Sequence, residues 1–340
     1  MRLFCRLLTV SSALIAITCF TAITASSAGA QGIRTRTMMR IFWQDRGTDK
    51  LSWADLTKGE KWGIKRGWIQ GFPKLDAEKQ NLGVMNRTNN GKLVVGVLDH
   101  ENANSQSGWV TIDPGTFEEP HGNHTHWKYI GEPKVTAMSR DSNPGLSEVP
   151  SLPGTMQVNQ LTLENDEDIR KQLQAGRFKV DRHWILLTTG QGDQATLCLI
   201  SSQSVPPSVV KLRIPVAEGL QLSTPETTLS MGERLAFLFQ VRTDVAVEVQ
   251  EQLTSVELDP NRDGDLSDAR VRNTIPVGAS QVDGQHSIAF DAYGRNAVFT
   301  EPADGVLNVM SVQNMQILAR FKVGGVPDRV IAVGAPEHFH

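Results

Sequence analysis

Short stretches of alternating apolar and polar residues, separated by Gly, Pro, Asn and Asp, run through the chain after residue 30. Alternation with a period of two predicts β-strands, and the separating residues favour turns. Arg40–Gln44 and Lys50–Leu56 form one strand–turn–strand pair, and Ala297–Glu301 and Val306–Val312 form another. The two pairs align with each other, and a further strand and a Gly follow each. This self-similarity predicts a repeated β unit.

The same spacing recurs at three further places. The first place has predicted strands at 93–98 and 108–112, and the second has them at 184–188, 195–200 and 209–216. The third begins with a strand at 235–241, continues with one at either 246–249 or 255–258, and ends with one at 271–277. A repeat of about 40–45 residues with several antiparallel strands is typical of a propeller blade. We therefore predict an all-β propeller of about seven four-stranded blades, as a single domain over residues 31–340. The alternative is a pair of β-sandwiches. Leu163–Gln174 interrupts the pattern as a short helix or polar insertion.

The last part of the chain resembles a known kind of repeat. Gly284–Gly334 is similar to a blade of the YVTN-type, WD40-like β-propellers, with Asp291–Arg295 in place of the usual S-P-D-G-R turn. The resemblance implies a propeller fold and leaves function open, because propellers host many functions.

The first thirty residues have the features of a secretory signal peptide. Arg2 and Arg6 precede a mostly apolar stretch, and Ala28–Ala30 forms an A-x-A cleavage site. We therefore expect an exported protein, periplasmic or secreted. After cleavage only Cys198 remains, so an internal disulfide is not expected. No later segment has the roughly 18 consecutive apolar residues of a membrane span.

Composition indicates the type of protein, and net charge indicates which partners to expect. Hydrophobic residues make up 39% of the chain and charged residues 21%, which is typical of a globular protein with a core. The formal net charge is −3, so no nucleic-acid partner is expected.

The strongest local motif is a histidine cluster. His121, His124 and His126 lie within six residues. On a strand, His124 and His126 point to the same face, and Gly122 permits a turn that returns His121 toward them. Imidazole nitrogens suit zinc, copper, iron or nickel, and three of them with an open position suit zinc. The alternative is a solvated polar loop.

The same segment carries a second resemblance. Gly108–Val135 is similar to a segment of the periplasmic zinc-binding β-propellers that act as metallochaperones for zinc ABC transporters. His121, Gly122, His124 and His126 match their H-G-D-H-x-H run, and Asn123 departs from its Asp. The resemblance implies zinc as the bound metal and the solute-binding protein of a metal ABC transporter as partner.

Other histidines are weaker candidates. His286 begins the last complete predicted blade, where it becomes either a further metal ligand, a catalytic group or a structural residue. His100 follows a strand, and His338 and His340 lie in a terminal segment that is expected to fray.

Asp259–Asp268 is similar to a calcium loop. Asp259, Asn261, Asp263 and Asp265 supply oxygen atoms around Gly264, as a hard cation requires. Arg270 stands where an EF-hand needs Glu, so the alternative is an acidic hairpin turn.

No familiar hydrolase or nucleotide-binding motif is present, and Cys198 lies in an apolar strand, which predicts an inert thiol. Three functions therefore compete: a metal-binding propeller, a lactonase-like hydrolase using His286, and an interaction propeller. The sequence favours the first without settling whether the protein is an enzyme.

Overall fold

The chain forms successive antiparallel β-sheets, because its strands are short, largely apolar and separated by tight turns. The structure is a computed structural model that describes residues 34–46, 50–73, 80–88, 91–99, 106–122, 124–139, 166–201, 203, 208–244, 246–280 and 285–337. Residues from Arg36 onward form one compact unit. The predicted signal peptide lies outside the described residues.

Sheet 1 joins the two ends of this unit. Its strands, in spatial order, are β23 (Pro327–Val333), β1 (Arg36–Asp45), β2 (Lys50–Lys58) and β3 (Trp62–Gly67). In β1 most residues are buried on both faces, so it reads as a nearly continuous apolar run.

Sheet 2 carries an insertion. Its strands are β4 (Gln80–Arg87), β5 (Leu93–Asp99), β6 (Gln106–Asp113) and β9 (Lys134–Ser139). Between β6 and β9, a separate two-stranded hairpin forms from β7 (Thr116–His121) and β8 (His124–Tyr129). We call this pair the histidine hairpin.

Sheets 3, 4 and 5 complete the described strands. Sheet 3 contains β10 (Phe178–Asp181), β11 (Trp184–Thr189), β12 (Thr196–Ser201) and β13 (Val209–Arg213). Sheet 4 contains β14 (Leu220–Leu222), β16 (Glu233–Arg242), β17 (Gln252–Glu257) and β18 (Arg270–Pro276), with β15 (Glu226–Ser230) also paired to β16. Sheet 5 contains β19 (Ile288–Phe290), β20 (Asn296–Glu301), β21 (Val306–Ser311) and β22 (Ile317–Lys322).

Four apolar clusters join the sheets face to face. One cluster joins sheets 1 and 2, a second joins sheets 1 and 5, a third joins sheets 4 and 5, and a fourth joins sheets 3 and 4. The packing order is therefore 2, 1, 5, 4, 3. Four-stranded antiparallel sheets packed in series are the arrangement of propeller blades. Four such sheets and one with a fifth strand lie within the described residues, so the predicted number of about seven stays a prediction.

The helix expected within Leu163–Gln174 is present. Helix α1 spans Glu167–Gln174, and the Asp166 side chain caps its first turn by accepting a hydrogen bond from the Ile169 N–H. Ile169 and Leu173 are four residues apart and share one face, which packs on sheet 3. A short 3-10 helix, Gly192–Gln194, links β11 and β12. Within the described ranges, no helix is long and apolar enough to cross a membrane.

Candidate metal-binding hairpin

The histidine hairpin aligns the predicted ligand positions on one face. Its strands pair in a register that sets His121 opposite His124 and Glu119 opposite His126, with Gly122 in the turn at a φ of 62°. Residues directly opposite each other in an antiparallel pair lie on the same side of the ribbon. All three histidine positions therefore share a face with Glu119, as the spacing predicted for His124 and His126.

Two of the three rings are close together. The ring centroids of His121 and His126 lie 4.9 Å apart, and the ring planes differ by 6°. A tetrahedral zinc ion bound at its usual Zn–N distance holds two imidazole centroids roughly 5 Å apart. The two rings are near enough to share an ion, but they lie parallel, so both must rotate before one nitrogen of each points toward it. The side chain of His124 and residue Asn123 lie outside the described residues.

The two rings differ in exposure. His121 is exposed at the hairpin tip, whereas His126 is only 7% exposed. An ion can therefore reach the exposed ring of His121 from solvent and lose part of its hydration when it also binds the buried ring of His126.

A charged pair adjoins the histidines. Glu119 Oε2 lies 2.5 Å from Lys128 Nζ. The hydrogen bond and positive charge of Lys128 lower the pKa of Glu119, and His126 and His121 add to this effect. The carboxylate is therefore ionised at neutral pH beside the imidazoles, where it can act as an oxygen ligand once Lys128 moves away.

The opposite face fixes the hairpin to the sheets. Trp127 is buried in the cluster between sheets 1 and 2. Tyr293 donates a hydrogen bond to the Thr125 carbonyl at 2.5 Å, and Tyr129 donates to the Ala335 carbonyl at 2.8 Å. Burial raises the pKa of Tyr129, so its hydroxyl keeps the proton that it donates. These contacts hold the hairpin against the sheets, with the histidine face on the other side.

Arg40 anchors the base of the hairpin. Its Nη1 atom donates to the carbonyls of Pro114 and Gly131, both at 2.6 Å, which lie just before and just after the hairpin. Asp55 holds the rest of the guanidinium through contacts of 2.8 Å and 3.0 Å. The sequence interpretation missed this role, although a charged residue amid the apolar positions of β1 was a usable signal.

His286 lies elsewhere, immediately before β19. Its Nδ1 is 2.7 Å from the Thr300 carbonyl and its Nε2 is 2.7 Å from Glu251 Oε2. Its ring stacks on Phe239 with centroids 4.7 Å apart. Both ring nitrogens are therefore engaged between sheets 4 and 5, and none of these contacts is with the hairpin. The role of His286 as a metal ligand stays a prediction.

Glu251 was not identified from sequence. It accepts hydrogen bonds from Arg242, Ser280 and His286. Burial raises the pKa of Glu251, but these hydrogen bonds outweigh burial and lower the pKa to about 2. Glu251 is therefore ionised and accepts all of these hydrogen bonds.

In the calcium-like loop, the carboxylates accept hydrogen bonds from backbone N–H groups of the same loop. The Asp259 carboxylate accepts hydrogen bonds from the N–H groups of Asp263 and Gly264, and Asp263 accepts from Asp265. Arg234 also approaches Asp259, at 3.9 Å. These contacts are those of an acidic turn. Calcium binding by Asp259, Asn261, Asp263 and Asp265 stays a prediction.

The remaining candidates are described only in part. Among the described side chains, no group of three or more His, Cys, Asp and Glu residues is arranged to hold a metal ion. His100, His338 and His340 lie outside the described residues. Cys198 is buried in β12, and burial raises the pKa of its thiol, which confirms the expectation of a buried, unreactive group.

Comparisons with known proteins give likenesses to solved structures. No family model matches the chain, and no curated protein matches it. AztD from Citrobacter koseri is a similar solved structure, with 13% identity, 89% of this chain and 100% of that chain covered, and a TM-score of 0.41. The periplasmic gluconolactonase PpgL of Pseudomonas aeruginosa has 11% identity, coverages of 89% and 99%, and a TM-score of 0.39. The β-propeller domain of Cps50 (Swd1) from Myceliophteria thermophila has 11% identity, coverages of 86% and 89%, and a TM-score of 0.32. All three likenesses have identities of 13% or less and TM-scores of 0.41 or less.

Proposed function

We propose that the histidine hairpin binds a zinc ion as cargo and that the protein passes the ion to a metal transport system. The observation that carries the proposal is the register that places His121, His124 and His126 on one face. Imidazole ligands without Cys or Met suit zinc, and copper is the main competitor on affinity grounds.

The hairpin has the properties of a delivery site. It stands apart from the four-stranded sheets, its tip is exposed at His121, and its base is fixed by Arg40 and Tyr293. Three imidazoles leave one coordination position open, through which a receiving protein can take the ion. We propose the solute-binding protein of a metal ABC transporter as that partner.

Export is part of the proposal. Residues 1–30 act as a cleaved signal peptide, and the mature protein works in the periplasm or outside the cell. Amino-terminal sequencing of protein purified from the extracellular or periplasmic fraction tests this. A first residue of Gln31 supports export, and an intact Met1 contradicts it.

Metal content is the decisive measurement. The mature protein, without a polyhistidine tag, is stripped with chelator, reloaded with a zinc and copper mixture, and measured by mass spectrometry. We expect about one equivalent of zinc. Changing His121, His124 and His126 to Ala should abolish retention without loss of thermal stability. His183→Ala, outside the hairpin, is the matched control. No metal on the wild-type protein contradicts the proposal.

The alternatives predict different results. An interaction propeller retains no metal. A lactonase-like hydrolase hydrolyses lactones even after the three hairpin substitutions, and it requires His286 to release Glu251 or Thr300 to obtain a free ring nitrogen. The two hydrogen bonds of 2.7 Å favour a structural role for His286 over this alternative.

A further inference from the structure

A cavity of about 550 Å³ lies between α1, sheet 3 and sheet 4. Its wall runs from Lys171 and Arg177, at and after the end of α1, past the end of β11, to Arg242 of β16 and to His286. The volume lies within the range of small-molecule sites, which is roughly 300–1,000 Å³. The residues that line the cavity include none from the histidine hairpin.

The lining is rich in hydroxyl and amide groups. These side chains come from β11, β14 and the loops beside β16 and β19: Thr188, Thr189, Gln221, Ser223, Ser280 and Gln285. Hydroxyls and amides donate and accept hydrogen bonds, so they complement a ligand with many hydroxyl groups. Such a wall suits a polar solute better than an apolar one.

The lining also carries excess positive charge. Lys171, Arg177 and Arg242 face the cavity, against Asp168 as the acidic lining residue. Arg242 is neutralised by Glu251, and Lys171 pairs with Glu167 only in an exposed contact of 3.2 Å. Among the described residues, the Arg177 guanidinium has no carboxylate within ion-pair distance. Arg177 is thus the cation best placed to bind an anion.

The positive lining continues into a neighbouring cavity. That cavity, of about 610 Å³, shares Ser223, Thr224, Gln285 and His286 with the first. Its lining includes Arg46, Arg87, Lys179 and Arg329, against Glu226 and Asp328. Two of these four cations pair with the two carboxylates, which leaves this wall with a smaller net excess of positive charge. A positive, polar cleft concentrates small anions.

We propose that the cavity bounded by Arg177 and His286 binds a small organic anion bearing several hydroxyl groups, with its carboxylate or phosphate held by Arg177 and Lys171. The hydroxyl groups contact the side chains of β11 and β14. This site is independent of the proposed metal site and does not require the hairpin to bind zinc.

Calorimetric titration of the full mature protein, in chelator-treated buffer, tests the proposal. The probes are D-glucuronate, D-glucose 6-phosphate and neutral D-glucose, which share hydroxyl groups and differ in charge. We expect both anions, or the one whose acidic group fits, to bind with a Kd below about 1 mM, and glucose to bind at least about tenfold more weakly.

Two variants and a matched control locate the site. Arg177→Gln and Lys171→Gln should each weaken anion binding by about tenfold, because each removes a charge-assisted hydrogen bond. Arg170→Gln removes the same charge from α1 at a residue outside the cavity lining, so its Kd should stay within about twofold. Thermal melts verify that each variant is folded.

Three results would overturn the proposal. The first is that neither anion binds at concentrations up to about 10 mM. This limit lies about tenfold above the roughly millimolar Kd expected of a weak specific site. The second is equal binding of glucose and the anions. The third is equal loss in Arg170→Gln and Arg177→Gln, which indicates a general field rather than a site. Failure here leaves the zinc measurement unaffected, since that measurement uses different residues and a different ligand.

Discussion

His286 Nε2 lies 2.7 Å from Glu251 Oε2, and this contact joins the strand that begins sheet 5 to the centre of sheet 4. Both side chains are almost completely buried. The pair links the two sheets beside apolar contacts such as that of Phe237 with Phe290. Its strength therefore depends on the protonation of Glu251.

Stability should fall in acid partly through Glu251. Because the pKa of Glu251 is lowered to about 2 when folded, its contribution is present above about pH 5 and is lost as the pH falls toward 2. The full contribution is about 3 kcal/mol. Urea unfolding between pH 7 and pH 2 measures it. Glu251→Gln should flatten the pH slope, and exposed Glu132→Gln should leave it unchanged. An equal slope in Glu251→Gln contradicts the assignment.

Arg40→Met should destabilise the fold and displace the hairpin. The substitution leaves Asp55 buried without its partner, which costs about 3–5 kcal/mol in unfolding free energy. It also removes the donor to the Pro114 and Gly131 carbonyls, so zinc affinity should fall as well. Urea unfolding and zinc titration measure the two effects. Arg36→Met, an exposed change on the same strand, is the control. A loss below 1 kcal/mol, smaller than any cost expected for a buried pair, would show that Arg40 is not the anchor.

Gly115→Ala should be more damaging than Gly91→Ala, although both glycines have positive φ angles of 68° and 77°. A Cβ at Gly115 would overlap the Gly131 carbonyl and approach Arg40 Nη1 to 2.8 Å, whereas a Cβ at Gly91 meets nothing within 4 Å. Gly91→Ala should cost about 1–2 kcal/mol from backbone strain alone. Thermal and urea unfolding compare the variants, and equal losses contradict the predicted close approach at the hairpin base.

Lys128→Met should tighten zinc binding. Lys128 holds Glu119 in an ion pair and places a positive charge beside the proposed ligands. Its removal frees the carboxylate, and since both partners are largely exposed, the gain should be roughly twofold to fivefold in Kd. Competition with a chromophoric zinc chelator measures the change. Lys134→Met on β9 serves as control, and weaker binding by Lys128→Met would contradict a ligand role for Glu119.

The sequence predicted the strands well and the long-range contacts poorly. Alternation placed strands close to β5, β11 and β16, because burial of at least one strand face demands apolar residues at regular positions. Between the two alternatives for the segment after β16, 246–249 and 255–258, the structure places the strand at Gln252–Glu257, which overlaps the second.

The predicted blade count assumed a uniform repeat. Two of the described units are longer than the predicted repeat of about 40–45 residues. Sheet 2 contains the histidine hairpin between two of its strands, and sheet 4 contains β15 and the acidic turn before β18. The alternation of apolar and polar residues gives no signal for an insertion that adds no strand to the core. Arg40 and Glu251 were missed for a related reason, since their partners are distant in sequence.

The pairing of β1 with β23 determines when sheet 1 can be completed during synthesis of the chain. Arg40 to Asp45 find their partners between Pro327 and Val333, almost three hundred residues later. Sheet 1 therefore stays open, with the apolar edge of β1 unpaired, until the last of these residues has left the ribosome. Such distant pairing makes folding slow and leaves the nascent chain dependent on whatever shields β1 in the interval.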